Sequence, residues 1–102
     1  INSVLLPHVI RFNAQTDPTP YVELASVVGV SGGTPHAIAE RLADEVASLA
    51  RRVGLPADLR SLGVRDEHVG VLTANALLDA CMTTNPRKPT AHDVARIYRE
   101  AL

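Results

Sequence analysis

The stretch TPHAIAERLADEVASLARRVG at residues 34–54 decides the fold class. Its apolar side chains recur every three or four residues, which is the spacing of one face of an α-helix. Thr34 can cap the first turn, Pro35 suits the first helical position, and Gly54 can end the helix. The pattern therefore predicts a long amphipathic helix. Its expected inner face comprises Ile38, Leu42, Val46, Leu49 and Val53.

Glycine and proline divide the rest of the chain into further helical segments. The first covers about residues 2–13 and contains Pro7, which costs roughly 3 kcal/mol inside a helix unless packing fixes the kink. The second follows the sequence DPTP, with Thr19 as the predicted N-cap, and closes at Gly29. A short helical turn is predicted over residues 56–62.

A fourth helix is predicted from Asp66, as its cap, to about Met82. It is apolar on nearly every side, so we expect it to be buried on most sides. Its polar residues His68, Asn75 and Asp79 line up on one side. We interpret this line as a solvent-exposed stripe, with a polar face turned toward a cleft as the alternative.

The last helix follows a loop with two prolines at residues 83–90. Thr90 and Asp93 have the spacing of a capping box. No segment has a convincing strand pattern. The chain is therefore predicted to be all-α, an antiparallel helical bundle of about five helices plus a short helical turn. The expected inner face of the last helix comprises Val94, Ile97, Tyr98, Ala101 and Leu102.

The composition restricts the class of function. Lys and Arg number 10 against 11 Asp and Glu, so the basic surplus typical of a nucleic-acid-binding domain is missing. The lone Cys81 excludes an intrachain disulfide and suits a reducing compartment. No apolar run reaches the roughly 18 residues of a membrane span. We expect a cytoplasmic domain that binds neither nucleic acid nor membrane.

The histidines do not form a metal-binding pattern. His8, His36, His68 and His92 lie on different segments, and no pair has the i, i+4 spacing of a helical zinc site. A structural or surface role is the favoured interpretation for each of them. His8 lies on an apolar segment, where we favour a packed, hydrogen-bonded core histidine over a pocket wall.

Two further residues are candidates for a role at a site. Cys81 is interpreted by default as a buried free thiol, with a pocket-lining thiol as the alternative. Arg87 more often holds its loop through backbone carbonyls than it binds substrate. The sequence SGGT at 31–34 lacks the glycine pattern of a phosphate-binding loop and is read as a plain turn. From the residues alone, the chain is a helical domain without a self-contained active site.

Three stretches, taken together, resemble the C-terminal part of the helical domain of iron-containing (group III) alcohol dehydrogenases. NSVLLPHVIRFN at 2–13 is similar to the family's segment after its last metal-binding histidine. GLPADLRSLGV at 54–64 is similar to a connector of the family. DACMTTNPRKPTAHDVARIYREAL at 79–102 is similar to its C-terminal signature. The stretches occur in the family's order and roughly its spacing.

The resemblance implies a larger, dehydroquinate-synthase-like two-domain enzyme, with residues 1–102 as the C-terminal portion of its helical domain. The N-terminal Rossmann-like domain would bind NAD(P), and one Asp and three His before Ile1 would hold Fe²⁺ or Zn²⁺. The chain opens inside an apolar helical stretch, so we expect further protein before it. No catalytic, cofactor-binding or metal-ligating residue maps onto this chain. Only Cys81 matches a position that faces the substrate side of the cleft, in some members of the family.

The function implied by the resemblance is NAD(P)-linked interconversion of an alcohol and an aldehyde. The expected partners are the Rossmann-like domain, the metal-bearing helices and the small-molecule substrate, in an enzyme that we expect to be a homo-oligomer. Residues 1–102 alone would be inactive. Two alternatives stay open: a maleylacetate reductase-like enzyme of the same superfamily, and a stand-alone, non-catalytic helical interaction module.

Overall fold

A computed structural model describes residues 2–102, and this part of the chain is all-helical, without a strand. The predicted all-α class and the five main helices are confirmed. No helix within residues 2–102 is long and apolar enough to cross a membrane. The helices are α1 (Asn2–Ala14), α2 (Thr19–Val27), α3 (Pro35–Arg52), α4 (Val69–Leu77) and α5 (Ala91–Ala101). Short 3-10 turns cover Arg60–Leu62, Asp66–His68 and Ala80–Thr84.

Helix α1 is the element around which the others pack. It contacts α3 and α5 extensively and touches α2. Pro7 is buried within it, where its ring removes one backbone hydrogen bond of the helix. Ala47 and Ala50 of α3 line the same small cleft as Pro7, so small side chains face the proline ring. Packing of α1 on more than one side is what makes the proline tolerable.

The apolar core has two centres. One joins Val4 of α1, Ala101 of α5 and the fully buried Leu59 of the connector, whose N–H donates to the Ala101 carbonyl at 2.8 Å. The other lies between α2 and α3, where Ala25 packs with Ile38 and Leu42. The first centre therefore joins α1 to α5 and the connector, and the second joins α2 to α3, with Tyr98 packed against the first and Tyr21 against the second.

The predicted caps of α3 and α5 are confirmed. Thr34 Oγ1 accepts a hydrogen bond from the Ala37 N–H at 3.2 Å. At α5, the Asp93 N–H donates to Thr90 Oγ1 at 3.1 Å and the Thr90 N–H donates to Asp93 Oδ2 at 3.0 Å, which completes the capping box.

The start of α2 differs from the prediction. Thr19 is the first helical residue and not the cap, because its N–H donates to Asp17 Oδ1 at 3.0 Å. A carboxylate two residues earlier therefore satisfies this orphan donor, which is the local side-chain bonding that Asp favours before helices.

The predicted long helix over residues 66–82 is interrupted at both ends. Asp66 does not cap it; instead the Arg65 N–H donates to His68 Nδ1 at 3.0 Å, and a 3-10 turn precedes α4. At the other end, Asp79 Oδ1 accepts from the Cys81 N–H at 2.8 Å. That bond starts a separate 3-10 turn, so the helical pattern stops at Leu77 in spite of the continuing apolar sequence.

The prediction that this helix is buried on most sides is wrong for the residues that the structure describes. Only Val69 and Thr73 of α4 are buried, while the adjoining Leu78 is 85% exposed. The C-terminal end of the predicted α3 inner face is exposed as well, at Leu49 and Val53. The physical reason is that α4 packs mainly through one face, against α5, and nothing within residues 2–102 covers the others.

Candidate functional site

The candidate site is built around the 3-10 turn at Ala80–Thr84, called here the Cys81 turn. Asp79 precedes it in extended conformation and caps it by accepting the Cys81 N–H. Within the turn, the Thr84 hydroxyl donates to the Cys81 carbonyl at 3.1 Å. Short-range side-chain hydrogen bonds therefore set the shape of the turn.

Cys81 is exposed, so the default interpretation of a buried thiol is wrong. A hydrogen bond to the Asp79 carboxylate, together with the negative charge of that carboxylate, raises the pKa of the Cys81 thiol. Nucleophilic cysteines need the opposite, an electropositive surrounding that favours the thiolate. The pKa of Cys81 is therefore shifted away from the value that an activated nucleophile needs.

Two clefts adjoin the Cys81 turn. The inner cleft, of about 160 Å³, lies between α1, α4 and α5 and is largely apolar, with Leu5, Phe12 and Ile97 in its walls. The outer cleft, of about 520 Å³, is lined by Leu78 and Lys88 among others.

The two clefts share part of their lining, in the Cys81 turn and the loop after it. Met82, Asn85 and Pro89 line both of them. Cys81 itself lies in the wall of neither, so its predicted contact with a substrate pocket stays a prediction.

The loop after the turn is attached to the end of α1 through Arg87. Its Nη1 donates to the Phe12 carbonyl at 3.2 Å and to Gln15 Oε1 at 2.6 Å, and its guanidinium lies 4.0 Å from the centre of the Phe12 ring. The predicted role of Arg87 in holding its loop through a backbone carbonyl is confirmed. The Phe12 carbonyl is among the last four of α1, which have no partner inside the helix.

Sequence reasoning did not single out Asn13, a buried carboxamide that pairs with Asn85 across 72 residues. The available signal was an Asn at the end of an apolar helix, where a polar side chain must find a partner if it is buried. The spacing of residues in the sequence does not identify the partner of Asn13.

His8 is half-buried and forms the wall of a small cleft with Ser3 and Arg51. Burial, and secondly the positive charge of Arg11, lower the pKa of His8, so its neutral form is favoured. This placement matches the pocket-wall alternative, and not the hydrogen-bonded core histidine that the sequence favoured.

The other histidines lie on the surface, at His36, His68 and His92. Asn75 and Asp79, which share the predicted polar line of α4 with His68, are also exposed. Within residues 2–102, no three His, Cys, Asp or Glu side chains converge in a way that could hold a metal ion. The residues described therefore do not fit a metal centre of their own.

Taken together, residues 2–102 form a helical unit with two clefts next to the Cys81 turn and an exposed thiol whose pKa is raised. The sequence profile of the Fe-containing alcohol dehydrogenase family, C-terminal part, matches residues 1–102. The chain belongs to that family.

Named relatives agree with this assignment. The chain is 38% identical over 102 residues to a lactaldehyde reductase from Escherichia coli, covering 98% of this chain and 27% of that protein. It is 35% identical over 103 residues to an NAD-dependent methanol dehydrogenase from Bacillus methanolicus, covering 99% and 27%.

Solved structures match the fold over the same length. A 1,3-propanediol oxidoreductase superimposes with a TM-score of 0.92 at 33% identity, covering 99% of this chain and 27% of that one. An alcohol dehydrogenase from Oenococcus oeni gives a TM-score of 0.93 at 30% identity, covering 98% and 27%. The chain thus spans about a quarter of the length of the relatives that it matches.

Proposed function

We propose that this chain works as the C-terminal portion of the helical domain of an NAD(P)-linked alcohol dehydrogenase, which interconverts an alcohol and an aldehyde. The observation that carries the proposal is the whole-chain superposition on 1,3-propanediol oxidoreductase, with a TM-score of 0.92 at 33% identity. Identity and fold likeness over the same residues support an equivalent part in an equivalent enzyme.

The proposed partner of the chain is the remainder of that enzyme, with a Rossmann-like domain for NAD(P) and further helices for Fe²⁺ or Zn²⁺. Several large apolar side chains of the described part are exposed, among them Val27 at 80% and Val71 at 64%. Their exposure supports the presence of a packing partner. The stand-alone interaction module remains the competing proposal, since the same apolar surface would also suit a separate partner. A cytoplasmic homo-oligomer completes the proposal.

The proposed part of this chain in the reaction is to form one wall of the substrate cleft. Cofactor and metal would supply the hydride-transfer chemistry, and the described residues form no cluster that would hold the metal. The Cys81 turn would present a neutral thiol and apolar neighbours such as Met82 to the substrate, and so exclude water from that side. By itself the chain would have no turnover.

The proposed substrate class is a short-chain alcohol or aldehyde. Relatives named for lactaldehyde, methanol and 1,3-propanediol all support small substrates. A maleylacetate reductase-like activity is the alternative, and it predicts an unsaturated dicarboxylate substrate.

A chimera tests the proposal. Residues 1–102 would replace the matching segment of the Escherichia coli lactaldehyde reductase, and oxidation and reduction would be followed by nicotinamide absorbance. We expect the chimera to retain alcohol-dependent turnover and the isolated chain to have none. A matched chimera with Cys81→Ser would keep turnover and change the KM for the alcohol, while leaving the KM for the nicotinamide unchanged.

Two results would count against the proposal. A folded chimera that binds the metal and nicotinamide of the parent but turns over no alcohol would contradict functional equivalence. Turnover of maleylacetate, and not of short alcohols, by the protein expressed from its own gene would favour the alternative enzyme.

A further inference from the structure

Two carboxamides, from opposite ends of the chain, form a closed pair beside the candidate site. Asn13 Nδ2 donates to Asn85 Oδ1 at 3.2 Å, and Asn85 Nδ2 donates to Asn13 Oδ1 at 2.9 Å. Asn13 is only 5% exposed, in the last turn of α1, and Asn85 is half-buried directly after the Cys81 turn. Each amide therefore satisfies the other in a place with little access for water.

A third contact fixes the orientation of both amides. Asn85 Nδ2 also donates to the Arg87 carbonyl, which can only accept a hydrogen bond. Nδ2 of Asn85 must therefore face the Arg87 carbonyl. Asn13 must in turn present Oδ1 to the same Nδ2. The pair has one consistent arrangement and is more directional than the apolar contacts around it.

The pair is placed where it can determine the position of the Cys81 turn. The hydrogen bonds within the turn are local, such as the Asp79 cap and the Thr84 hydroxyl bond, and they define its shape without fixing its place on the bundle. Asn85 is four residues from Cys81 and connects the end of the turn to α1. Arg87, two residues after Asn85, joins the same loop to α1 through the Phe12 carbonyl.

We propose that Asn13 and Asn85 are a positioning pair, which holds the Cys81 turn against the end of α1 and thereby sets the width of the substrate cleft. The proposal rests on the proposed function, because it takes the Cys81 turn as a wall of that cleft. Neither residue touches the reacting atoms; both act through the turn.

The structure predicts an order of effects for isosteric variants. Asn85→Asp removes the donor to two oxygens, those of Asn13 and of the Arg87 carbonyl, and places a carboxylate against both. Asn13→Asp removes only the donor to Asn85 Oδ1. Asn85→Asp should therefore be the more damaging of the two single variants.

The test uses the protein expressed from its own gene, with kinetics and hydrogen exchange on the same samples. For Asn85→Asp we expect a loss in kcat/KM for the alcohol of about tenfold or more, since small misplacements near a reacting centre are costly. The KM for the nicotinamide should not change. Amide exchange should speed up in residues 80–89 and stay at the wild-type rate in α3.

Two control variants separate positioning from general damage. Asn75→Asp makes the same chemical change at an exposed position of α4, and we expect its melting temperature and its exchange in residues 80–89 to match wild type. Gln15→Ala removes only the exposed contact of Arg87 and should have a smaller effect than either pair variant.

Each outcome decides a separate point. Faster exchange in residues 80–89 with unchanged alcohol kinetics would overturn the positioning role and leave a structural contact only. If Asn85→Asp changed neither the exchange rates nor the kinetics, the proposal that the two carboxamides hold the Cys81 turn would be refuted. A wild-type protein without alcohol turnover would instead overturn the proposed function, and the exchange data would then decide whether the pair holds the turn.

Discussion

Replacement of Leu59 by alanine should be among the most destabilising single changes in the core. Leu59 is completely buried among Val4, Ala101 and Tyr98, and it lies in the connector that joins α3 to α4. Truncation removes three carbons, worth about 2.4 kcal/mol at about 0.8 kcal/mol each. The remaining cavity raises the expected loss in unfolding free energy to about 3–4 kcal/mol, because surrounding side chains relax only in part. That is a large fraction of the stability of an ordinary domain.

Leu62 provides a matched control three residues further on. It belongs to the same connector but is 45% exposed, so Leu62→Ala should cost less than about 1 kcal/mol. Urea unfolding of the purified chain, followed by circular dichroism, would compare the two midpoints at an unchanged slope. Equal losses for the two variants, or a loss below about 1 kcal/mol for Leu59→Ala, would refute the assignment of the core centre.

Three further outcomes follow from the caps and the charges. Thr90→Ala removes the N-cap of α5 and should lower the unfolding free energy by about 1 kcal/mol, measured by urea unfolding. Folding lowers the pKa of His8, chiefly through burial and then through the positive charge of Arg11. The contribution of His8 to stability is therefore full above about pH 6.5 and is lost as the pH falls toward the folded pKa. NMR titration of the His8 ring should give a midpoint below the value for the unfolded chain. Because Asp79 raises the pKa of the Cys81 thiol, Asp79→Asn should speed alkylation by iodoacetamide near pH 8, followed by mass spectrometry.

The parts of the fold that the sequence predicts well are those with local causes. The Thr34 cap and the Thr90–Asp93 box each join residues three apart, so the spacing in the sequence contains the whole interaction. The end of α4 also has a local cause, the bond from the Cys81 N–H to Asp79, but the apolar pattern outweighed it in the prediction.

The candidate site was less predictable because its contacts are long-range. Arg87 reaches Phe12 across 75 residues and Asn85 reaches Asn13 across 72. A general preference of Arg for backbone carbonyls was enough to anticipate the kind of bond but not its partner. The exposure of Cys81 could not be predicted either, because it depends on where α4 stops and the following turn leaves the bundle.

The contrast between the composition of α4 and its exposure has a consistent explanation under the proposed function. Single apolar side chains on a surface are common, so Val71 or Leu78 alone would need no explanation. Leu77 and Leu78, however, lie together in the outer cleft, next to the polar Asp79 and Lys88. Burial of a side chain of this size gains about 1.5–3 kcal/mol, so a packing partner along α4 would be strongly favoured. The remaining protein would then cover Leu77 and Leu78 at the C-terminal end of α4, next to the polar side chains of Asp79 and Lys88.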